Sequence, residues 1–280
     1  MSFAVELLPS APRVGLGRPP RPARPRRFYV WLAFFGAAKA AALVLLLRHH
    51  PLVACLAFFA PAPWYVWQLT APSADGLGPI VTTFRPAGRA VWLTIDDGPD
   101  PATTPRMLDL LEAHHARATF FLIGSKAQRH PGLVAEIVRR GHTVGNHTLT
   151  HACFTFWFAT ARRTAAEIDR GAAALQRAGA GPAPWFRPPA GLRNLALHAE
   201  LAARDLPLVL WSVRSLDTLP LHAGTVVARL ARQVRPGAII LVHESRPRSD
   251  HHVAILGGLL AHLARERYTC VIPPPEALSA

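Results

Sequence analysis

From residue 90 to the C-terminus, short runs rich in β-branched and aromatic residues alternate with amphipathic stretches, and this alternation constrains the fold more than any other feature. The runs are 91–95 (VWLTI), 118–122 (ATFFL), 143–147 (TVGNH), 184–188, 207–213 (PLVLWSV), 238–243 (AIILVH) and 268–272. Helical patterns at 103–115, 131–140, 162–178, 194–203, 224–234 and 252–266 separate them. Seven strands alternating with helices predict an α/β fold with a parallel sheet, open or closed into a barrel. No internal repeat is present.

The rest of the chain is built differently. Residues 1–27 are rich in Pro and Arg, with Arg18, Arg21, Arg24, Arg26 and Arg27 crowded together, and a segment of that kind builds no core. An apolar run follows at 28–47, broken only by Lys39, with the length a helix needs to cross a bilayer. After Arg48, His49 and His50 a second run spans 51–69 and ends in Trp64, Tyr65 and Trp67, as an interfacial aromatic belt would. A cleaved signal peptide is the competing reading, but the first run exceeds a usual signal core and a second follows at once. The expected organisation is a basic tail at 1–27, one or two transmembrane segments at 28–70, a linker at 71–87 and a globular domain at 88–280. A helical hairpin is preferred over a single span with an interfacial helix, although Pro51, Pro61 and Pro63 weaken the second span.

Arginines ahead of Phe28 hold the N-terminus in the cytoplasm by the positive-inside rule, so a hairpin returns the domain to the cytoplasmic face of a bacterial inner membrane. A single span would place it on the periplasmic side. The net charge of +14 is shared equally between residues 1–70 and 71–280. A basic surface suits membrane lipid or a phosphate-bearing substrate. Nucleic acid is not expected, because the sequence has no zinc-finger spacing, RRM-type motif or basic heptad helix. Cys55, Cys153 and Cys270 are too few and too dispersed for a disulfide framework.

Four strand ends carry the polar residues of interest, and in parallel α/β folds reactive groups gather there. The first run leads into Thr94-Ile95-Asp96-Asp97-Gly98-Pro99, where two adjacent carboxylates call for a cation or an arginine to offset them. The third leads into Asn146-His147-Thr148-Leu149-Thr150-His151, whose histidines at i and i+4 share a face if the segment is helical. With a nearby carboxylate they would form a two-His, one-carboxylate metal site. The other two are Arg187-Pro188-Pro189-Ala190-Gly191 and Leu241-Val242-His243-Glu244.

In order and content these motifs resemble the polysaccharide deacetylase family, carbohydrate esterase family 4, over residues from about 88 to 272. The resemblance implies a distorted parallel (β/α)-barrel of about seven strands. It implies Asp97, His147 and His151 as ligands of one divalent metal, zinc first, with cobalt and nickel as alternatives. It also implies Asp96 as general base, Arg187 as its partner and His243 as general acid. Trp211 and Leu241, with Pro188 beside them, would line the pocket for the acyl methyl. The reaction implied is removal of an N-acetyl or N-formyl group from an amino sugar of a polysaccharide or a polyprenyl-phosphate-linked glycan.

One motif departs from the family. In place of Asp-x-x-Asp-Trp the chain has Arg214-Ser215-Leu216-Asp217-Thr218, leaving Asp217 as the only acid. Asp217 would tune His243 or Arg187, and Arg214 would meet an anionic substrate group. A rival of another class is a catalytically silent, membrane-bound glycan-binding protein. The intact set of Asp96, Asp97, His147, His151, Arg187 and His243 argues against it.

Overall fold

The computed structural model describes residues 26–244 and 248–279. Of the basic tail expected at 1–27, only Arg26 and Arg27 fall within them.

Four of the expected strands, with a short fifth at the end of the expected 207–213 run, form a fully parallel core sheet. Its order is Thr143–Asn146, Ala118–Leu122, Ala90–Asp96, Ile239–His243 and the short Val213–Arg214. The central strand Ala90–Asp96 is buried along its whole length, as is Ala118–Leu122. Strands covered by helices on one side and by a packed interior on the other bury both faces, so they read as near-continuous apolar runs. Register sets Asp96 beside His243 on one flank and beside Phe121 on the other.

The expected strands at 184–188 and 207–213 are not regular ladders. Single parallel bridges link Asn146 to Phe186 and Phe186 to Leu208, and Val209 bridges to Val81. These bridges join the sheet's two edges, since the 208–214 segment runs into the strand paired with Ile239–His243. Pro184, Pro188 and Pro207 explain the irregularity, because each lacks the N–H that a ladder needs. The seventh expected strand, Thr269–Cys270, pairs instead with Ala90 and Val91 at the start of the central strand.

Helices Thr104–Ala113, Pro131–Arg139, Ala161–Arg177, Leu197–Ala202, Ala223–Gln233 and Ser249–Arg265 match the amphipathic stretches. Their apolar faces seal the core outside the sheet, with Met107, Leu108, Ile137, Leu175, Leu230 and Leu256 fully buried. Ala161–Arg177 is capped by Thr160, which accepts from Arg163 N–H, as short hydroxyl side chains do at helix starts.

The expected linker at 71–87 is part of the domain. Ala74, Leu77, Ile80, Val81 and Phe84 are buried, and Thr83–Phe84 pairs with Leu278–Ser279. Its Pro and Gly residues suggest a free segment, yet the apolar residues between them fill the wall beside Leu208 and Val209.

Two helical stretches, Arg26–Leu47 and Pro51–Thr70, are long and apolar enough to cross a membrane. The second is broken into Pro51–Phe59 and Ala62–Thr70 around Pro61. Lys39 sits opposite that break, donates to the carbonyl of Phe58 and lies 3.2 Å from the Phe58 ring centroid. The Phe58 carbonyl lies at the end of the first half of the broken helix, and Lys39, the one charge within the apolar run 28–47, bonds it.

Candidate active site

At the carboxyl ends of the strands, two acids, three histidines and an arginine converge. Asp97 follows the central strand with φ 76°. This left-handed turn reverses the chain and separates the Asp97 carboxylate from that of Asp96. The carbonyl of Asp97 accepts from Lys126 Nζ at 2.6 Å, which fixes the turn. Below it, Asp100 N–H donates to Thr104 Oγ1, and Thr104 donates to Glu244 Oε2 at 2.5 Å. Glu244 fills the space a side chain at Gly98 would need, and burial pushes its carboxyl up to about 8.

His147 and His151 meet, but not on a helix. The segment after Asn146 is a loop, with Thr148 at φ 66° and His151 at φ 55°. Two left-handed residues curl the chain so that the rings lie 4.8 Å apart. Glu167 holds the curl from the neighbouring helix, accepting from Leu149 N–H at 3.0 Å, Thr150 N–H at 2.9 Å and the Thr150 hydroxyl at 2.8 Å.

Asp97 Oδ1 lies 3.4 Å from His147 Nε2 and 3.0 Å from His151 Nε2. Ligand atoms of all three residues fall within 4.8 Å of one another, so the group could hold a metal ion. The chemistry of the donors agrees. His147 Nδ1 is 2.8 Å from the carbonyl of Arg187, which can only accept, so Nδ1 carries a hydrogen and Nε2 is the atom turned toward Asp97. Asp97 Oδ1 is buried with no hydrogen-bond partner. Lone pairs converging at this distance repel unless a cation lies between them, and one carboxylate with two imidazoles suits zinc, cobalt or nickel better than magnesium.

Asp96 is built differently. Its Oδ1 accepts from Arg187 Nη1 at 2.6 Å, and its Oδ2 lies 3.8 Å from His147 Nε2. Arg187 is fully buried and also donates to Thr94 Oγ1, Val209 O and Leu210 O. Burial pulls the guanidinium pKa down, with Asp96 opposing. A buried arginine that keeps its charge is a fixed counter-ion for the carboxylate.

Opposite Asp96, His243 Nδ1 is 2.6 Å from Asp217 Oδ1, and His243 N–H donates to Asp217 Oδ2 at 2.8 Å. The structure therefore pairs Asp217 with His243 and not with Arg187. Burial lowers the imidazole pKa, but Asp217 above all, then Asp97 and Asp96, push it up to about 9. Burial raises the Asp217 carboxyl, and the His243 hydrogen bond overrides that and lowers it.

Trp211, Leu241 and Pro188 are buried as expected, and Trp211 and Leu241 share one apolar cluster. Trp211 packs on Gly191, where a Cβ would lie 2.5 Å from the indole and φ is 71°, so only glycine leaves room. The guanidinium groups of Arg187 and Arg214 lie 5.7 and 5.5 Å from the Trp211 centroid. Arg214 pairs in register with Leu241, so both face the same side of the sheet.

Residues 85–209 match the family model described as polysaccharide deacetylase. The chain is 31% identical over 199 residues to a peptidoglycan-N-acetylglucosamine deacetylase of Bacillus cereus, covering 67% of this chain and 92% of that protein. It is 35% identical over 164 residues to a chitooligosaccharide deacetylase of a Bradyrhizobium species, covering 57% of this chain and 72% of the other. Among solved structures, a family 4 carbohydrate esterase from Streptomyces lividans, in complex with acetate, superposes with a TM-score of 0.62 at 30% identity. That match covers 69% of this chain and 97% of the other. The chain belongs to the polysaccharide deacetylase family.

Two residues carrying this geometry were not assigned from the sequence. Thr94 lies in the first motif but signals nothing until the fold turns it toward Arg187. Glu167 lies 16 residues beyond His151 on an amphipathic helix, where an acid reads as solvated surface. Replacing Glu167 with Ala removes the side-chain acceptor of Thr150 N–H and the Thr150 hydroxyl and leaves Leu149 N–H only the residue 167 carbonyl, at a cost of about 1 kcal/mol in stability. Metal affinity should fall by about 10–100-fold, as when outer supports of a ligand are removed. Metal titration of the folded variant checks this, and wild-type affinity would mean that Glu167 does not hold the loop.

Proposed function

We propose that the protein is a membrane-anchored, metal-dependent hydrolase that removes the N-acetyl group from an amino sugar of an N-acetylglucosamine-containing glycan. One observation carries the reading: the Asp97–His147–His151 cluster is flanked by a buried Arg187–Asp96 pair on one side and an Asp217–His243 pair on the other. That is a metal site with separate groups to take and to give a proton.

A metal held by Asp97, His147 and His151 supplies Lewis acidity, lowering the pKa of a water and polarising the amide carbonyl. Asp96 accepts the proton of the attacking water. Arg187 keeps that carboxylate ionised and aimed. Water oxygen bonds to the carbonyl carbon, and the C–N bond then breaks. The leaving amine is too basic to depart unprotonated, and His243 delivers the proton from Nε2. Asp217 holds Nδ1–H and keeps the ring charged until that step. Acetate and a free amino sugar result. Trp211, Leu241 and Pro188 form the apolar wall for the acetyl methyl.

The pH profile tests the second pair. The imidazolium is present below about 9 and is lost as pH rises through that value, so activity should fall there. In Asp217→Asn the largest upward push on His243 is lost and only Asp97 and Asp96 are left to oppose burial, so the basic limb of kcat/KM should move to lower pH. An unmoved limb would take His243 out of the acid role.

The substrate we assign is a polyprenyl-phosphate-linked glycan rather than a finished wall polymer. Two apolar helices adjoin the domain, and Arg214 stands where the family pattern has an acid, beside the pocket wall. We place the domain on the cytoplasmic side of a bacterial inner membrane. Reporter fusions at Ala280 check the side: alkaline phosphatase activity with a dark cytoplasmic reporter would overturn it. Mass spectrometry of lipid-linked glycans from cells with and without the protein tests the substrate. Loss of acetyl from a lipid-linked species supports it, and a change confined to the wall polymer restores the polysaccharide.

A further inference from the structure

The catalytic domain carries an apolar rim beside its metal site that the proposed chemistry does not use. Directly after His151 come Phe154, Trp157 and Phe158. Phe154 is 87% exposed and Phe158 is 71% exposed, the two largest exposures among large apolar residues of the domain. Trp157 packs on Phe158 with centroids 4.0 Å apart and donates to the backbone carbonyl of Phe154, so Trp157 is tied to both neighbours along one short segment.

That cluster is tied to the membrane helices through a short chain of contacts. Asn194 donates to the carbonyl of Phe156 at 3.0 Å. Its neighbour Arg193 is fully buried and donates to the carbonyls of Gln68 and Ala71, while Arg193 N–H donates to Leu69 O. Gln68 Oε1 in turn accepts from Gly76 N–H at 2.8 Å. The end of the second apolar helix is thus locked to the domain with no slack between them. One turn earlier, Trp64 and Tyr65 stack on Trp31 at 4.8 and 5.7 Å, an aromatic layer of the kind found at a bilayer interface. Arg27, at the start of the first helix, pairs with Asp75, so both helices leave the membrane on this side.

We infer that Phe154, Trp157 and Phe158 insert into the interface of the same bilayer that the helices enter, laying the mouth of the metal site against an anionic lipid surface. Exposed aromatics stabilise such contact, and Arg162 and Arg163 beside them are exposed cations suited to anionic headgroups. Arg163 also donates to Thr155 at 2.7 Å, so the charge and the apolar rim move as one unit. A rim of this kind favours a sugar presented at the membrane surface over a soluble chain; that consequence rests on the deacetylase reading, whereas the insertion itself does not.

The test uses the full chain in vesicles of phosphatidylcholine with about one third phosphatidylglycerol, with and without dibrominated acyl chains, which quench nearby tryptophan. The difference between wild type and Trp157→Phe isolates the Trp157 emission. Quenching of that share by brominated lipid is expected, and an unquenched Trp157 overturns the proposal. A second variant, Phe154→Ser with Phe158→Ser, should turn over a vesicle-anchored N-acetylglucosamine lipid about tenfold more slowly. A soluble chitooligosaccharide should keep its rate within about twofold, since the rim is not in the reaction machinery. Equal losses on both substrates, or on neither, overturn the role of the rim. A wild-type protein inert on both would defeat the deacetylase reading while the quenching result stood.

Discussion

Asp96→Asn is expected to keep its metal and to lose turnover by about 10²–10⁴-fold, the usual contribution of a positioned general base. Asparagine is nearly isosteric, and Arg187 keeps Thr94, Val209 O and Leu210 O as acceptors, so the guanidinium stays in place. The group that could hold a metal ion includes Asp97 and not Asp96. What disappears is, among the described residues, the one carboxylate held beside the site by a fully buried arginine. Metal content by atomic emission and steady-state turnover on one preparation separate the two effects. Near wild-type turnover would mean that another group takes the proton.

His147→Ala and His151→Ala are expected to fail at the earlier step, with metal affinity reduced by more than the 10–100-fold seen for outer supports. His147 is buried and oriented by the Arg187 carbonyl, so its loss removes a ligand that was already aimed. His151 is more exposed and reaches Asp97 only because Thr148 and His151 itself adopt left-handed backbone. Both variants should fold, since neither ring belongs to an apolar core cluster. Full zinc occupancy in both would remove the site.

The core of the fold was legible where burial on both faces of a strand writes a continuous apolar run, as at 90–96, 118–122 and 239–243. It was less legible around the sheet's closing edge. Apolar composition at 184–188 and 207–213 reads as strand, yet their prolines and the crowding around Arg187 reduce each to single bridges. The segment 71–87 reads as a linker because Pro, Gly and Ser punctuate it, while the five apolar residues that seat it show no periodicity.

The site was legible as residue types at strand ends, and illegible as geometry. Spacing of i and i+4 puts His147 and His151 together on a helix; in the protein a curled loop does it, and Glu167 pins the curl from elsewhere in the chain. Asp217 was assigned to either His243 or Arg187 from position alone. Only the backbone path, which brings His243 N–H and Nδ1 to the same carboxylate, decides between them. Such contacts depend on tertiary approach, and local patterning does not encode them.

The central claim is the reaction itself, and the direct test is acetate release by the purified full chain from N-acetylated chitooligosaccharide or an N-acetylglucosamine lipid. Loaded with a divalent metal such as zinc, it should release acetate and free amine in equal amounts, and Asp96→Asn loaded with the same metal should release almost none. Metal-loaded wild type that binds these glycans and releases no acetate would contradict the account and leave the chain a glycan-binding relative with a silent site.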